Sequence, residues 1–189
     1  RDAVIGHVEF ARHEVAQGFG HRMIEFDADD RAPAAALQGR FEQADEIFGR
    51  AMSQASLSDN LKLYFSLWMY ELALRQDRPA PTEATDFLGA YRGSTWGKAL
   101  SKHALGKIDF EALLEAAGNR GERAEAYFYE GLQRWRTGNG TGGTAMMNKV
   151  VETQMMGFFE YDMAQRYLRW GAPPAHARVP LSGQLSKQP

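Results

Sequence analysis

Residues Ala124–Thr153 read AEAYFYEGLQRWRTGNGTGGTAMMNKVVET. Tyr127, Phe128, Gly131, Leu132 and Trp135 recur at the spacing of one helical face. Gly138 then punctuates the chain, and Gly143, Met147 and Val150 resume a similar spacing. The stretch is therefore expected to be two helices joined by a glycine turn. A small residue, Gly131 or Gly143, sits where each helix would have to approach the other. Such a pair buries its apolar faces poorly by itself, so it should be stacked between further helices.

Working outward, residues 60–76 carry Leu61, Leu63, Tyr64, Phe65, Leu67, Trp68, Met69, Tyr70, Leu72 and Leu74, apolar around most of a helix. A helix that is apolar on all sides is usually central in a stack. Ser58 is placed to cap it, and Arg78-Pro-Ala-Pro-Thr82 breaks it. Thr82 is read as the cap of the next helix, which runs to about Tyr91 and ends at Gly93. Residues 95–105 form another short helix, with Trp96, Leu100 and Leu105. Gly106-Lys107 turns. Asp109 is the next expected cap, with Ile108 and Leu113 forming a hydrophobic staple across it, and Gly118 closes that helix. A last helix spans about Phe158 to Trp170 before Gly171-Ala-Pro-Pro. Upstream, Val4, Val8, Ala11, Val15 and Phe19 mark a helix over 3–18. Pro33 fits the first turn of a short helix, and Phe41, Ala44, Phe48 and Ala51 form a stripe. The total is about nine helices and no convincing strand: an all-α chain of antiparallel pairs.

Composition narrows the function classes. The chain has 189 residues, 44% hydrophobic and 12% aromatic, enough for one domain with a sizeable core. A net charge of -2 provides no global basic field for nucleic acid. No run of about twenty apolar residues is present to span a bilayer. The absence of cysteine excludes disulfides, thiolate metal sites and a Cys nucleophile. The chain begins at Arg1, read either as trimming or as the mature end left by a cleaved export signal.

Internal repetition follows from aligning Gly39 with Gly138. Ala44 then falls on Gly143, Phe48 on Met147 and Ala51 on Val150. The separation of about 99 residues is close to three units of about 34. On these residues Ala124–Thr153 resembles a tetratricopeptide (TPR) repeat. Tyr127, Gly131, Gly138, Gly143 and Met147 meet the pattern's positions. Glu130 and Arg134 stand where the pattern has leucine and tyrosine, and the glycines of Gly140–Gly143 are expected to delay the second helix. The block Trp96–Leu168 further resembles bacterial NlpI-type TPR lipoproteins. That rests on Trp96, Leu105-Gly-Lys-Ile108, Leu113, Glu125-Ala-Tyr-Phe-Tyr129, Val150-Val-Glu-Thr153 and Phe158-Phe-Glu-Tyr161.

The resemblance implies TPR-like helix pairs stacked in a right-handed superhelix over residues 1–170, with an irregular tail at 171–189. It implies a non-catalytic adaptor in the periplasm or envelope that binds a protein or peptide partner. In such a solenoid the first helices line a concave groove, which can hold a peptide or helix. Phe128, Leu132, Trp135 and Arg136 are the candidate groove residues, and interhelical core is the other reading of Phe128 and Trp135. A structural homo-oligomer, its apolar faces paired with a second copy, is the alternative function.

No catalytic, cofactor or metal site is expected. His7 and His13, with Glu14, are the nearest thing to a metal set, but six residues place the two histidines on different helical faces. His103 is read as a surface histidine. Gly138–Gly143 lacks the lysine and the preceding strand of a phosphate loop, and no nucleophile motif is present. The charged face of Glu42, Asp45, Glu46 and Arg50 is read as solvated.

Overall fold

The computed structural model describes residues 41–170. Expectations for residues 3–18, Pro33, Gly39 and the 171–189 tail lie outside that range. The described residues form eight helices and no strand: α1 Phe41–Met52, α2 Asp59–Arg75, α3 Thr82–Ala90, α4 Thr95–Ala104, α5 Phe110–Glu115, α6 Arg120–Arg136, α7 Gly140–Glu152 and α8 Phe159–Trp170. The all-α reading holds for this span.

Most of the helices begin on a side-chain cap. Ser58 Oγ accepts from the Leu61 N–H, Ser94 Oγ from Gly97, Asp109 Oδ1 from Ala112, Asn119 Oδ1 from Glu122 and Asn139 Oδ1 from Gly142. Each satisfies a donor that the first helical turn leaves free, an effect of about 1 kcal/mol. Ser58 and Asp109 thus act as expected, and Ile108 and Leu113 pack into one apolar cluster.

Three boundaries differ from expectation. Thr82 is the first residue of α3, not its cap; Pro81 precedes it with no side-chain cap bond. Helix α5 ends at Glu115, and Gly118 instead donates its N–H to Glu122 Oε2 at the entrance to α6. Helix α7 is not delayed by its glycines. It starts at Gly140, because the Asn139 cap holds the first turn closed. Gly138 makes the turn between α6 and α7 with φ of +85°, a left-handed value that favours glycine.

Helix α2 is central, as its composition suggests. Leu63 and Leu67 enter the larger core cluster with α3 to α8. Phe65, Trp68, Met69 and Leu72 enter a second one with Ala44, Ile47, Phe48 and Ala51 of α1. A helix that feeds two cores needs apolar residues all round, which is why α2 has no clean amphipathic stripe. The most extensive pairing is α6 with α7, followed by α7 with α8 and α2 with α3. At the α6–α7 contact a Cβ on Gly131 would lie 2.6 Å from Met147 Cε, and one on Gly143 would fall on the Trp135 ring. The two glycines therefore do mark the close approach of these helices.

Candidate interaction site

Helix α6 positions all four candidate groove residues, and they divide into two kinds. Phe128 and Leu132 are core, at 2% and 5% exposure. Phe128 touches the rings of Tyr129, Phe159 and Tyr167, which fits the interhelical-core reading given for it beside the groove one. Helix α6 packs against α2, α4, α5, α7 and α8, and this packing turns that face inward. Trp135 and Arg136 are half-buried. Trp135 Nε1 donates to the Gly140 carbonyl at 3.1 Å, and its ring meets Tyr167 edge-on at 5.5 Å. The indole thus braces the start of α7.

Beside these residues lies a buried polar core that the sequence reading did not assemble. Glu125 Oε2 accepts from Tyr64 Oη at 2.9 Å and from Trp96 Nε1 at 2.7 Å, joining α6 to α2 and α4. One turn and a half further on, Glu130 Oε2 lies 3.2 Å from His103 Nε2, and Glu130 Oε1 accepts from Arg134 Nε at 2.6 Å. A carboxylate only accepts, so His103 Nε2 carries the proton in that contact. His103 is 4% exposed, which overturns its surface reading: α4 packs between α2, α3, α5 and α6, and the imidazole meets Glu130 of α6 there.

Glu71 is the third of this set. It lies inside α2, and its Oε2 faces Arg136 Nε at 3.7 Å. That separation is too long for a hydrogen bond, and neither atom has another hydrogen-bond partner. The attraction is therefore coulombic only.

The environments of Glu71 and Glu130 push their proton affinities in opposite directions. Burial raises the Glu71 carboxyl above its ordinary value, and Arg136, Arg75 and His103 offset this only in part. Burial also pushes Glu130 upward, but hydrogen bonds from His103 and Arg134, with their charges, outweigh it and hold the carboxyl below the ordinary value. Tyr129 is raised well above its usual range by burial and by Glu160 and Glu125 nearby.

A small cleft adjoins Glu71, lined by Trp68, Leu72, Arg75, Phe128, Tyr129, Leu132 and Tyr167. Its inner space of about 10 Å³ suits roughly one water molecule. The Arg75 guanidinium lies 5.9 Å from the centre of the Tyr167 ring, a cation–π distance. Among the described residues no cluster of His, Asp and Glu is arranged to hold a metal ion, and no helix is long and apolar enough to cross a membrane.

Part of this core had a signal in the sequence. Glu130 and Arg134 are the two departures from the repeat pattern, and they are bonded to each other. Glu71 interrupts an otherwise apolar helix. No family model matches the chain, and comparison with curated proteins and with solved structures finds no match.

Proposed function

We propose that the chain is a non-catalytic protein–protein interaction module, built of TPR-like helix pairs in a right-handed superhelix and holding a partner peptide or helix in a concave groove. The observation that carries this is the α6–α7 pair. It is a helix–turn–helix unit closed at Gly131 and Gly143, turned at Gly138 and followed directly by α8. Such units cannot bury their apolar faces alone and build binding surfaces by stacking. The interior polar groups support the reading too, since Glu125 and Glu130 are engaged in bonds between helices. A setting in the bacterial envelope rests on the resemblance of Trp96–Leu168 alone.

The test is site-specific photo-crosslinking in cells. A photoreactive residue replaces Arg136, at the edge of the α6 face, or Glu111, exposed on α5 as a control. A protein adduct formed from position 136 and absent from 111 is expected. Equal labelling at both positions, or none, counts against the module. An adduct made only of a second copy of the chain moves the reading to a homo-oligomer.

A further inference from the structure

Among the buried glutamates that tie α6 to its neighbours, Glu130 and Glu71 are built differently. At Glu130 the carboxylate takes two hydrogen bonds, from His103 of α4 and Arg134 of its own helix. At Glu71 the tie to α6 is a single unbonded approach, Oε2 to Arg136 Nε at 3.7 Å, with both atoms buried and without a hydrogen-bond partner. Arg136 is the last residue of α6, and its side chain is 23% exposed. It needs only a rotamer change to reach water, which hydrates a guanidinium well. Glu71 lines the cleft beside it, whose inner space of about 10 Å³ suits roughly one water molecule. A water held there would pass a proton to the carboxylate.

We infer that Glu71 and Arg136 form a proton-released latch between α2 and the end of α6, closed while Glu71 is ionised and opened when it takes up a proton. The inference stands apart from the partner reading. Attraction to an ionised carboxylate is what keeps Arg136 inward, because no hydrogen bond assists it. The other groups facing Glu71 are Arg75 and Tyr70 on its own helix, His103 on α4, Tyr129 on α6 and Tyr167 on α8. Of these the cations also favour the ionised state, whereas burial opposes it most strongly. Mild acid thus neutralises Glu71 before Glu130, whose hydrogen bonds hold its proton affinity down. Acidification opens the Glu71–Arg136 contact and leaves the Glu130–His103 tie to α4 closed, while Tyr64 still bonds Glu125 between α2 and α6.

The experiment follows the Nε–Hε signal of Arg136 by nuclear magnetic resonance on the full chain from neutral pH downward. The signal is expected to titrate with a midpoint above the ordinary glutamate value of 4.5, toward the position it holds at every pH in Glu71→Gln. In His103→Gln the titration should persist. A flat signal, a titration that survives Glu71→Gln, or one abolished by His103→Gln overturns the latch. Should Glu71→Gln fail to fold, Arg136→Gln is read through the side-chain carboxyl carbon of Glu71. Its midpoint should rise, because the attraction that lowers it is gone; an unchanged midpoint overturns the latch as well.

Discussion

The indole of Trp135 lies directly against Gly143. A Cβ on Gly143 would sit 2.5 Å from the indole nitrogen and 2.6 Å from Cγ, inside any contact a real side chain makes. The same nitrogen donates to the Gly140 carbonyl. One ring therefore sets the spacing of α6 and α7 and also pins the first turn of α7.

Gly143→Ala should lower stability by about 1–3 kcal/mol through overpacking, despite alanine's better helix propensity. Gly131→Ala should cost less. Its closest neighbour is Met147 Cε, the end of a flexible side chain, although Met146 Cβ at 3.1 Å limits the relief. Urea unfolding of both variants checks the order, and a more stable Gly143→Ala would show the helices to be less tightly joined.

Trp135→Ala should destabilise the fold by about 3 kcal/mol, as large aromatic truncations do. It is thus a poor probe of partner binding, since lost binding would report lost packing. Calorimetry of the variant measures this directly, and an unchanged melting temperature would remove the bracing role.

Glu125→Gln weakens two donors at once, Tyr64 O–H and Trp96 N–H. Hydrogen bonds to a charged group contribute about 1.5–3 kcal/mol, so a loss in that range is expected. Tyr64→Phe should lose about 1 kcal/mol. A double-mutant cycle should return a non-zero coupling between Tyr64 and Glu125; additivity would mean that the bond contributes nothing to folding.

Stability should depend on pH through two glutamates of opposite sign. Glu130 has a folded proton affinity below its ordinary 4.5. Its contribution is present above that value and is lost as pH falls through the lowered folded value. Glu71 is raised above its ordinary 4.5. Its contribution is fully present below that value and is lost as pH rises through the raised folded one. Glu130→Gln should therefore flatten the acid limb of a stability–pH curve, and Glu71→Gln the limb just above 4.5. Chemical denaturation at stepped pH separates the two, and a curve unchanged by either variant removes both assignments.

Local signals in the sequence determined the helical order of this chain over the described residues. Apolar spacing placed α2, α4, α6 and α8. Ser58 and Asp109 marked their helix starts, and Gly106 and Gly138 marked left-handed turns, with φ of +67° and +85°. Each of these depends on residues within one or two turns of each other, so a linear reading can find it. The same holds for Gly131 and Gly143, whose positions in the pattern foretold a close contact. Tertiary structure alone decided which polar residues are buried and what they meet. His103 and Glu130 are 27 residues apart in the chain, and Tyr64 and Glu125 are 61 apart. Nothing near His103 in sequence distinguishes a solvated imidazole from one facing a carboxylate on another helix. The face of α6 was settled the same way. Periodicity showed that Phe128, Leu132 and Trp135 share a side of the helix, but only the packing of α2, α7 and α8 around it turned Phe128 and Leu132 into core and left Trp135 and Arg136 at its edge.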